Sequence, residues 1–536
     1  MYKTSQNKIA IFLWKFKLPQ PYKLRMKNRL LLLLPFIVSL LPACQSQEEE
    51  TVPPNIIYIL ADDLGYGDLG CYGQEKIETP NIDALAASGM MFTQHYSGAP
   101  VCAPARSVLL TGQHSGHSQV RGNDEWGSRG DVWNYHAMLA DSTLEGQRPI
   151  ATGTYTLGRM LQEAGYTTAV VGKWGLGAPH TEGIPTNQGF DYFFGYNCQR
   201  QAHTLYPVHL YENEHRVYLN NDTIAPNKKL AEGADPYNLE NYGDYFLTDY
   251  APELMFDKIT NFVDEQSSKE PFFLYWATPI PHVPLQAPTK WIDHYVDKFG
   301  DEEPYLGENS YYPSRYPRAT YAAMVSYMDE QVGELVEQLK SKGLYENTLI
   351  IFTSDNGPTF NGGTDSPWFN SGGAFREEKG FGKGFLYEGG IRVPMIASWP
   401  GKIKEGSVSD HASVFYDVMP TLAEVAGKPL EIATDGTSFF PTLLGHEQSQ
   451  PEFLYWEFPS YGGQIAVRMG DWKALKLDLQ KGGSSWLLFD LKSDPLEMHD
   501  VAKENPKIIK KAEEIVAREH TTSPNERWRF EELDGV

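Results

Sequence analysis

Cysteine is scarce, with 4 in 536 residues, too few for the disulfide framework that staples small secreted domains. Positive charge is also short: 46 Lys and Arg stand against 69 Asp and Glu, a net charge of −23, whereas a general nucleic-acid binder needs the opposite balance. A small anion is not excluded, because a few cations in one pocket hold it on an acidic protein. No apolar run is long enough to span a bilayer; the stretch Leu30 to Leu41 stops far short of the roughly 18 residues required. No internal repeat is visible. What remains, 41% hydrophobic and 21% charged residues, is a globular composition that rules out a collagenous, coiled-coil or wholly disordered chain. The length allows three or four domains, or equally one large α/β core with a smaller appendage.

The first stretch reads as an address. Residues 1–29 are basic and contain a second start candidate, Met26, beside Met1. The short apolar run follows, then Leu41-Pro42-Ala43-Cys44: charged start, apolar stretch and small residue before the cut make a secretory signal. The ending resembles a bacterial lipobox, with Pro42 as a departure, which implies a lipidated Cys44; a plain cleaved signal is the alternative. Gln45 to Glu50 resembles the acidic tether of surface lipoproteins of the Bacteroidetes type. The expectation is an exported envelope lipoprotein of a Gram-negative bacterium, periplasmic or on the outer-membrane surface, meeting the membrane only through its N-terminal lipid. The chain then divides into a signal at 1–44, a linker at 45–54, a catalytic domain at 55–425 and a C-terminal subdomain at 426–536.

Apolar, β-branched runs predict buried strands at Asn55–Leu60, Tyr166–Val171, Phe272–Trp276 and Leu349–Phe352. Helices are predicted between them at Pro80–Gly89, with Thr79 as N-cap, at Tyr155–Ala164 and at Ala319–Lys342. Alternating strands and helices imply an α/β fold with a mostly parallel sheet covered on both faces. Segments 200–250 and 357–381 read as long insertions. Beyond about residue 425 short β-like runs (453–458, 464–469, 472–477, 486–489) and a helix at 506–519 predict a small antiparallel sheet with a helix packed on it.

Polar groups recur just after the strands: Asp62 and Asp63, Lys173, His282, and Asp355 with Asn356. In open α/β sheets ligands bind beyond the carboxyl ends of the strands, so these groups are expected to converge. Three carboxylates and an amide offer only oxygen, a set suited to Ca²⁺ or Mg²⁺ rather than zinc. Taken singly, an Asp pair in a loop is a solvated feature and Asp-Asn-Gly a turn. Cys102, at a predicted helix start with Arg106 four residues on, reads as a stabilised thiolate for redox or nucleophilic work, or else as a buried structural cysteine. Glu388-Gly389-Gly390 reads as a tight turn rather than a phosphate cradle. Cys71 and Cys198 read as free or structural, and the 31 Tyr and 12 Trp as core or as a surface on which sugar rings stack.

Cys102-Ala103-Pro104-Ala105-Arg106 resembles the Cys-x-Pro-x-Arg signature of the type I sulfatases, in which the cysteine is oxidised to formylglycine. The blocks 55–67, 80–89, 102–112, 172–177, 188–195, 353–357, 382–400, 417–427 and 490–500 resemble that family's segments in family order, arylsulfatase and N-acetylgalactosamine-sulfatase types included. The resemblance implies an alkaline-phosphatase-like sandwich: a large mixed, mostly parallel sheet flanked by helices, plus a small C-terminal antiparallel sheet with a helix. It implies hydrolysis of sulfate monoesters, on a sulfated glycan or glycosaminoglycan-derived saccharide given the lipoprotein address. It further implies formylglycine at Cys102, made by a sulfatase-maturing enzyme, whose hydrate has the two hydroxyls on one carbon that a serine lacks. One Ca²⁺, rather than Mg²⁺, is implied at Asp62, Asp63, Asp355 and Asn356. Arg106 would steady the modified residue, Lys173 and Lys383 would grip the sulfate, and His282 would protonate the leaving alcohol.

One position departs from the family pattern. Gly175 stands in Gly-Lys-Trp-Gly-Leu-Gly where the family has histidine. His203 is the candidate to replace it, ahead of His180, while His95 and His114 read as packing residues. The competing readings are a phosphatase or phosphodiesterase of the same superfold, and a catalytically weakened glycan-binding lipoprotein.

Overall fold

The computed structural model describes residues 52–535; the signal, lipobox and most of the linker lie outside them. The strands of the main sheet are β1 (Asn55–Ala61), β2 (Met90–Tyr96), β3 (Thr167–Lys173), β4 (Tyr192–Tyr196), β5 (His209–Glu212), β6 (His215–Tyr218), β7 (Phe272–Ala277), β8 (Thr348–Ser354), β9 (Arg392–Ser398), β10 (Ser407–Ser409) and β11 (Ser413–Val414). Their order is β10-β2-β9-β8-β1-β7-β3-β4-β5-β6, with β11 also paired to β2. The centre, β8-β1-β7-β3-β4, is parallel. Antiparallel pairs β9–β8 and β2–β9 flank one side of it, and β4–β5 and β5–β6 the other.

The continuous apolar runs follow from burial on both faces. Along β1, Ile56, Tyr58 and Leu60 enter one core and Ile57, Ile59 and Ala61 the other, as a two-residue period requires. The first core is capped by the helix Cys102–Thr111, every residue of which is buried. The second is capped by the helix Pro317–Ser341, through Met324, Met328, Val332, Leu335 and Leu339.

Three local expectations change. The helix Pro80–Ala87 receives no cap from the Thr79 side chain. Its free amides at Asn81 and Ile82 donate instead to Asp329 of the long helix, at 3.2 and 2.7 Å, a cap supplied across the fold that no local pattern announces. Residues 200–250 are not wholly irregular, since β5 and β6 extend the main sheet there. Glu388 does not sit in a surface turn: Glu388–Ile391 is one helical turn, and Glu388 is buried, 2.9 Å from Lys473 Nζ and 3.1 Å from Arg392 Nη1. The adjacent Gly389 is dictated by close approach, because a Cβ there would lie 1.6 Å from the Arg376 carbonyl oxygen.

The C-terminal strands β12 (Leu454–Phe458), β13 (Gln464–Met469), β14 (Trp472–Lys476) and β15 (Leu487–Asp490) form an antiparallel sheet in chain order. The helix Pro506–Glu519 lays Ala512, Ile515 and Val516 against Tyr455, Ile465 and Val467. On the other face Trp456 joins the main core and donates its indole N–H to the Ser97 carbonyl at 2.8 Å. Among the described residues no helix is long and apolar enough to cross a membrane.

Candidate active site

The parallel strands deliver the predicted groups to one end of the sheet. Asp62 and Asp63 follow β1, Lys173 ends β3, His282 lies five residues past β7, and Asp355 and Asn356 follow β8. Asp63 holds a left-handed φ of 65°. Its amide donates to Asp355 Oδ1 at 3.2 Å, a contact that helps offset the strain of such a backbone.

Cys102, the first residue of its helix, is the focus. Its Sγ lies 3.4 Å from Asp62 Oδ1, 3.4 Å from Lys173 Nζ and 3.6 Å from Lys383 Nζ. Lys173 Nζ also reaches Asp62 Oδ2 at 2.5 Å, and Lys383 Nζ donates to Asp63 Oδ1 and Oδ2 at 2.5 and 2.7 Å. Arg106, one helical turn on, donates to Asp355 Oδ2 from Nε (3.2 Å) and Nη2 (2.8 Å), to the Lys173 carbonyl from Nη1, and stands 3.4 Å from Asp62. Helix, β1, β3 and β8 are thus tied together by one guanidinium.

The thiolate expectation does not hold for the unmodified thiol. Burial and the neighbouring Asp62 push Cys102 up to about 12, more than Lys173 and Lys383 can offset. Arg106 is the reason the sequence misled: its charge is committed to Asp355 and Asp62 rather than to sulfur. For Asp62, burial is outweighed by Lys173, His282 and Arg106, which hold the carboxyl far below its usual range. Burial and then the Asp62 charge push Asp355 up to about 6, against the pull of Arg106.

The oxygen donors cluster as a cation site would. Asn356 donates from Nδ2 to Asp63 Oδ1 at 2.8 Å, while its Oδ1 is buried without a hydrogen-bond partner. A buried amide oxygen left unpaired beside three carboxylates is a donor set waiting for a hard cation. These residues therefore fit the Ca²⁺ that the motif implies. His282 stands at the edge, with Nε2 3.7 Å from Asp63 Oδ2 and Nδ1 held by the Val283 carbonyl at 2.5 Å. That bond places a proton on Nδ1 and aims Nε2 at the site.

His203, from a short helical turn at Gln199–His203, stacks on His282 with ring centroids 5.6 Å apart and planes 14° apart. It shares no hydrogen bond with Cys102 among the described residues. Gly175 has a φ of 79°, and a Cβ there would meet only Gln199, at 3.5 Å or more; space for a side chain exists beside a backbone that favours glycine. His180 bonds Ser142 at 2.8 Å, His95 bonds Ser413 at 2.9 Å inside the core, and His114 bonds Glu519 at 3.2 Å. All three are occupied away from Cys102.

Sequence reasoning missed the wall of the cavity beside His203, about 410 Å³ in volume and lined by Glu125, Trp133, Arg200, His203 and Tyr311 among others. Tyr311 sets its ring 5.2 Å from His203 and 5.9 Å from His282. Arg200 and His203 share the turn Gln199–His203, while Glu125, Trp133 and Tyr311 come from distant loops, and only the aromatic richness of the sequence hinted at such a wall.

Residues 54–428 match the family model described as Sulfatase, and residues 377–521 match the model described as N-sulphoglucosamine sulphohydrolase, C-terminal. The chain is 32% identical to an N-acetylgalactosamine-6-sulfatase of Rattus norvegicus, over 79% of this chain and 71% of that one. It is 31% identical to an N-acetylgalactosamine-6-O-sulfatase of Bacteroides thetaiotaomicron, over 92% of this chain and 99% of that one. Among solved structures, Ps i-CgsB superposes with a TM-score of 0.66 at 30% identity, covering 87% of this chain and 93% of that one.

Proposed function

The chain belongs to the sulfatase family and is a sulfuric ester hydrolase, and from that premise we propose that it removes O-sulfate from a saccharide at Cys102, matured to formylglycine, beside one Ca²⁺ held by Asp62, Asp63, Asp355 and Asn356. The observation that carries this reading is the convergence of Lys173 and Lys383 on Cys102 Sγ. Two ammonium groups flanking one side-chain atom form a cradle for an anionic group bonded there. The relatives named N-acetylgalactosamine-6-sulfatase make 6-O-sulfated N-acetylgalactosamine the first saccharide to test.

The modified residue supplies, as its hydrate, two hydroxyls on one carbon for attack and release, and the metal supplies positive charge beside them. The chain's own residues do the rest. Arg106, Lys173 and Lys383 balance the charges of Asp355, Asp62 and Asp63 in the site, so the floor is neutral by itself and would be net positive towards a sulfate ester with a divalent ion held by Asp62, Asp63, Asp355 and Asn356. Lys173 and Lys383 donate hydrogen bonds to the sulfuryl oxygens, where charge grows in the transition state, each such donor typically contributing a few kcal/mol. Arg106 holds Asp355 and Asp62 in place without touching substrate. His282 presents Nε2 towards the leaving oxygen, its ring fixed by Val283 on one side and by His203 stacked on its face. With its Nδ1 proton held by Val283 it gives a proton from Nε2 only as the imidazolium, a form that burial and the two lysines disfavour in the resting site. His203 is a positioning residue for that ring in place of any group at Gly175.

The maturing enzyme must reach Cys102 before folding, because the residue is 2% exposed in the folded chain. The proposal also keeps the envelope-lipoprotein address, which would put the site outside the cytoplasm, where sulfated polysaccharides are met. Peptide mass spectrometry of natively produced, active protein tests the central step. The peptide containing Cys102 is expected about 18 Da light, the mass change when a thiol becomes an aldehyde, and fully unconverted cysteine in active material would refute the assignment.

A further inference from the structure

Arg200 is the one cation of the cavity wall, and no carboxylate lies within ion-pair distance of it among the described residues. Its Nη1 and Nη2 donate only to the backbone carbonyls of Val132 and Trp133, at 2.5 and 3.1 Å, and its guanidinium lies 4.5 Å from the centre of the Trp133 ring. Arg106, Arg216 and Arg392 are each neutralised by a carboxylate, whereas Arg129, Arg159 and Arg468, like Arg200, bond only carbonyls or neutral side chains. What sets Arg200 apart is that it faces the cavity beside His203. A guanidinium carries five N–H donors in a flat fork, so the two carbonyl bonds leave donors free. Carbonyls anchor the group without cancelling its charge. Trp133, 66% exposed, offers a ring face beside it, and Glu125 lines the same cavity, its carboxyl pushed up to about 7 by burial.

We propose that Arg200 is a specificity-determining residue that binds a second anionic group on the saccharide, a carboxylate or a further sulfate, while the scissile sulfate lies between Lys173 and Lys383. The cavity contains both Arg200 and His203, and His203 stacks on the proposed proton donor. A sugar ring whose sulfate reaches Cys102 therefore projects its other substituents towards Arg200. Trp133 supplies a stacking surface for the ring, and the planar fork matches a carboxylate or sulfate in two-point contact. This inference rests on the sulfatase reading of the Cys102 site and adds the charge of the preferred substrate to it.

The test compares kcat/KM on three probes: N-acetylgalactosamine 6-sulfate, the same unit joined to a glucuronate, and N-acetylgalactosamine 4,6-disulfate. The protein carries formylglycine, and the variants are Arg200→Met and Arg200→Lys. Wild type is expected to favour one of the doubly anionic probes at least tenfold over the singly charged one. The favoured probe identifies the second anion as carboxylate or sulfate. Arg200→Met is expected to erase that preference mainly through KM, and Arg200→Lys to restore part of it. A preference that survives in Arg200→Met, or its absence in wild type, overturns the proposal. Melting temperature and turnover of 4-nitrophenyl sulfate distinguish a folding defect from lost recognition. If Cys102→Ala turns over 4-nitrophenyl sulfate as fast as wild type, the sulfatase assignment of the site fails as well; if only the preference is missing, this inference alone falls.

Discussion

The floor of the site and its wall are built in opposite ways. On the floor every cation has a carboxylate: Lys173 with Asp62, Lys383 with Asp63, Arg106 with Asp355, at 2.5 to 2.8 Å and almost wholly out of solvent. On the wall Arg200 has none, and Trp133 and His203 stand in the open. Buried charges that lose a partner are costly, commonly about 3–5 kcal/mol, so the floor behaves as a unit that tolerates no single deletion. The wall can change residue by residue at little expense in stability. Chemistry shared by a family belongs on the first kind of surface and substrate choice on the second.

The sharpest way to break that contrast is at Cys102. Cys102→Ser leaves nearly the same volume and the same neighbours but only one hydroxyl. Turnover of any sulfate ester is expected to fall by at least about 10³-fold, with the melting temperature unchanged within a few degrees. Wild-type-like steady-state rates would show that the floor is not where the reaction happens. Removing divalent metal with a chelator should be nearly as severe, since three carboxylates and the unpaired Asn356 oxygen then lack their common partner. Restoration by Ca²⁺ in a titration checks it, and a metal-free protein with full rates would refute the oxygen-donor site.

Next come the two lysines. Lys173→Ala and Lys383→Ala each remove a donor from Cys102 and also strip a buried carboxylate of its cation. We expect about 10²–10³-fold lower kcat together with lower stability, the latter greater for Lys173, which is more buried. Equal stability of both variants would mean that the carboxylates find other partners and that the floor is not the closed unit described. On the wall, the Arg200 variants should alter the choice of substrate and leave the melting temperature close to wild type.

The same contrast explains what the sequence disclosed. Strands β1, β3, β7 and β8 were legible because burial on both faces demands unbroken apolar runs, and a parallel sheet fixes where their carboxyl ends point. Asp62, Asp63, Lys173, Asp355 and Asn356 inherit their places from that rule alone, which is why short motifs located them. His282, a few residues past its strand, was placed by the same rule and owed only its role to the family resemblance, whereas Lys383 lies in a loop and needed that resemblance to be picked out. The Asp329 cap on the helix Pro80–Ala87, the buried Glu388 and the Arg200 cavity all depend on partners 60 or more residues away, where no local period or spacing applies. Cys102 misled for a related reason: Arg106 four residues on was visible, but its commitment to Asp355, 249 residues later, was not.

His203 sits where floor and wall meet, and its substitution should have the smallest effect on chemistry. It faces the cavity like a wall residue, yet its ring stacks on His282, a floor residue. If it only orients that ring, His203→Ala should lower kcat by about tenfold or less, and His203→Phe, which keeps a flat face, should recover most of the loss. If it takes over the role of the side chain absent at Gly175, both variants should lose about 10²-fold or more in kcat alike, because phenylalanine cannot exchange a proton. A substrate with a good leaving group, such as 4-nitrophenyl sulfate, needs little protonation by His282. Under the orienting role the defect should shrink on that substrate, whereas a direct part in releasing sulfate from residue 102 would leave it unchanged. The geometry favours the first outcome, since His203 touches His282 and not Cys102.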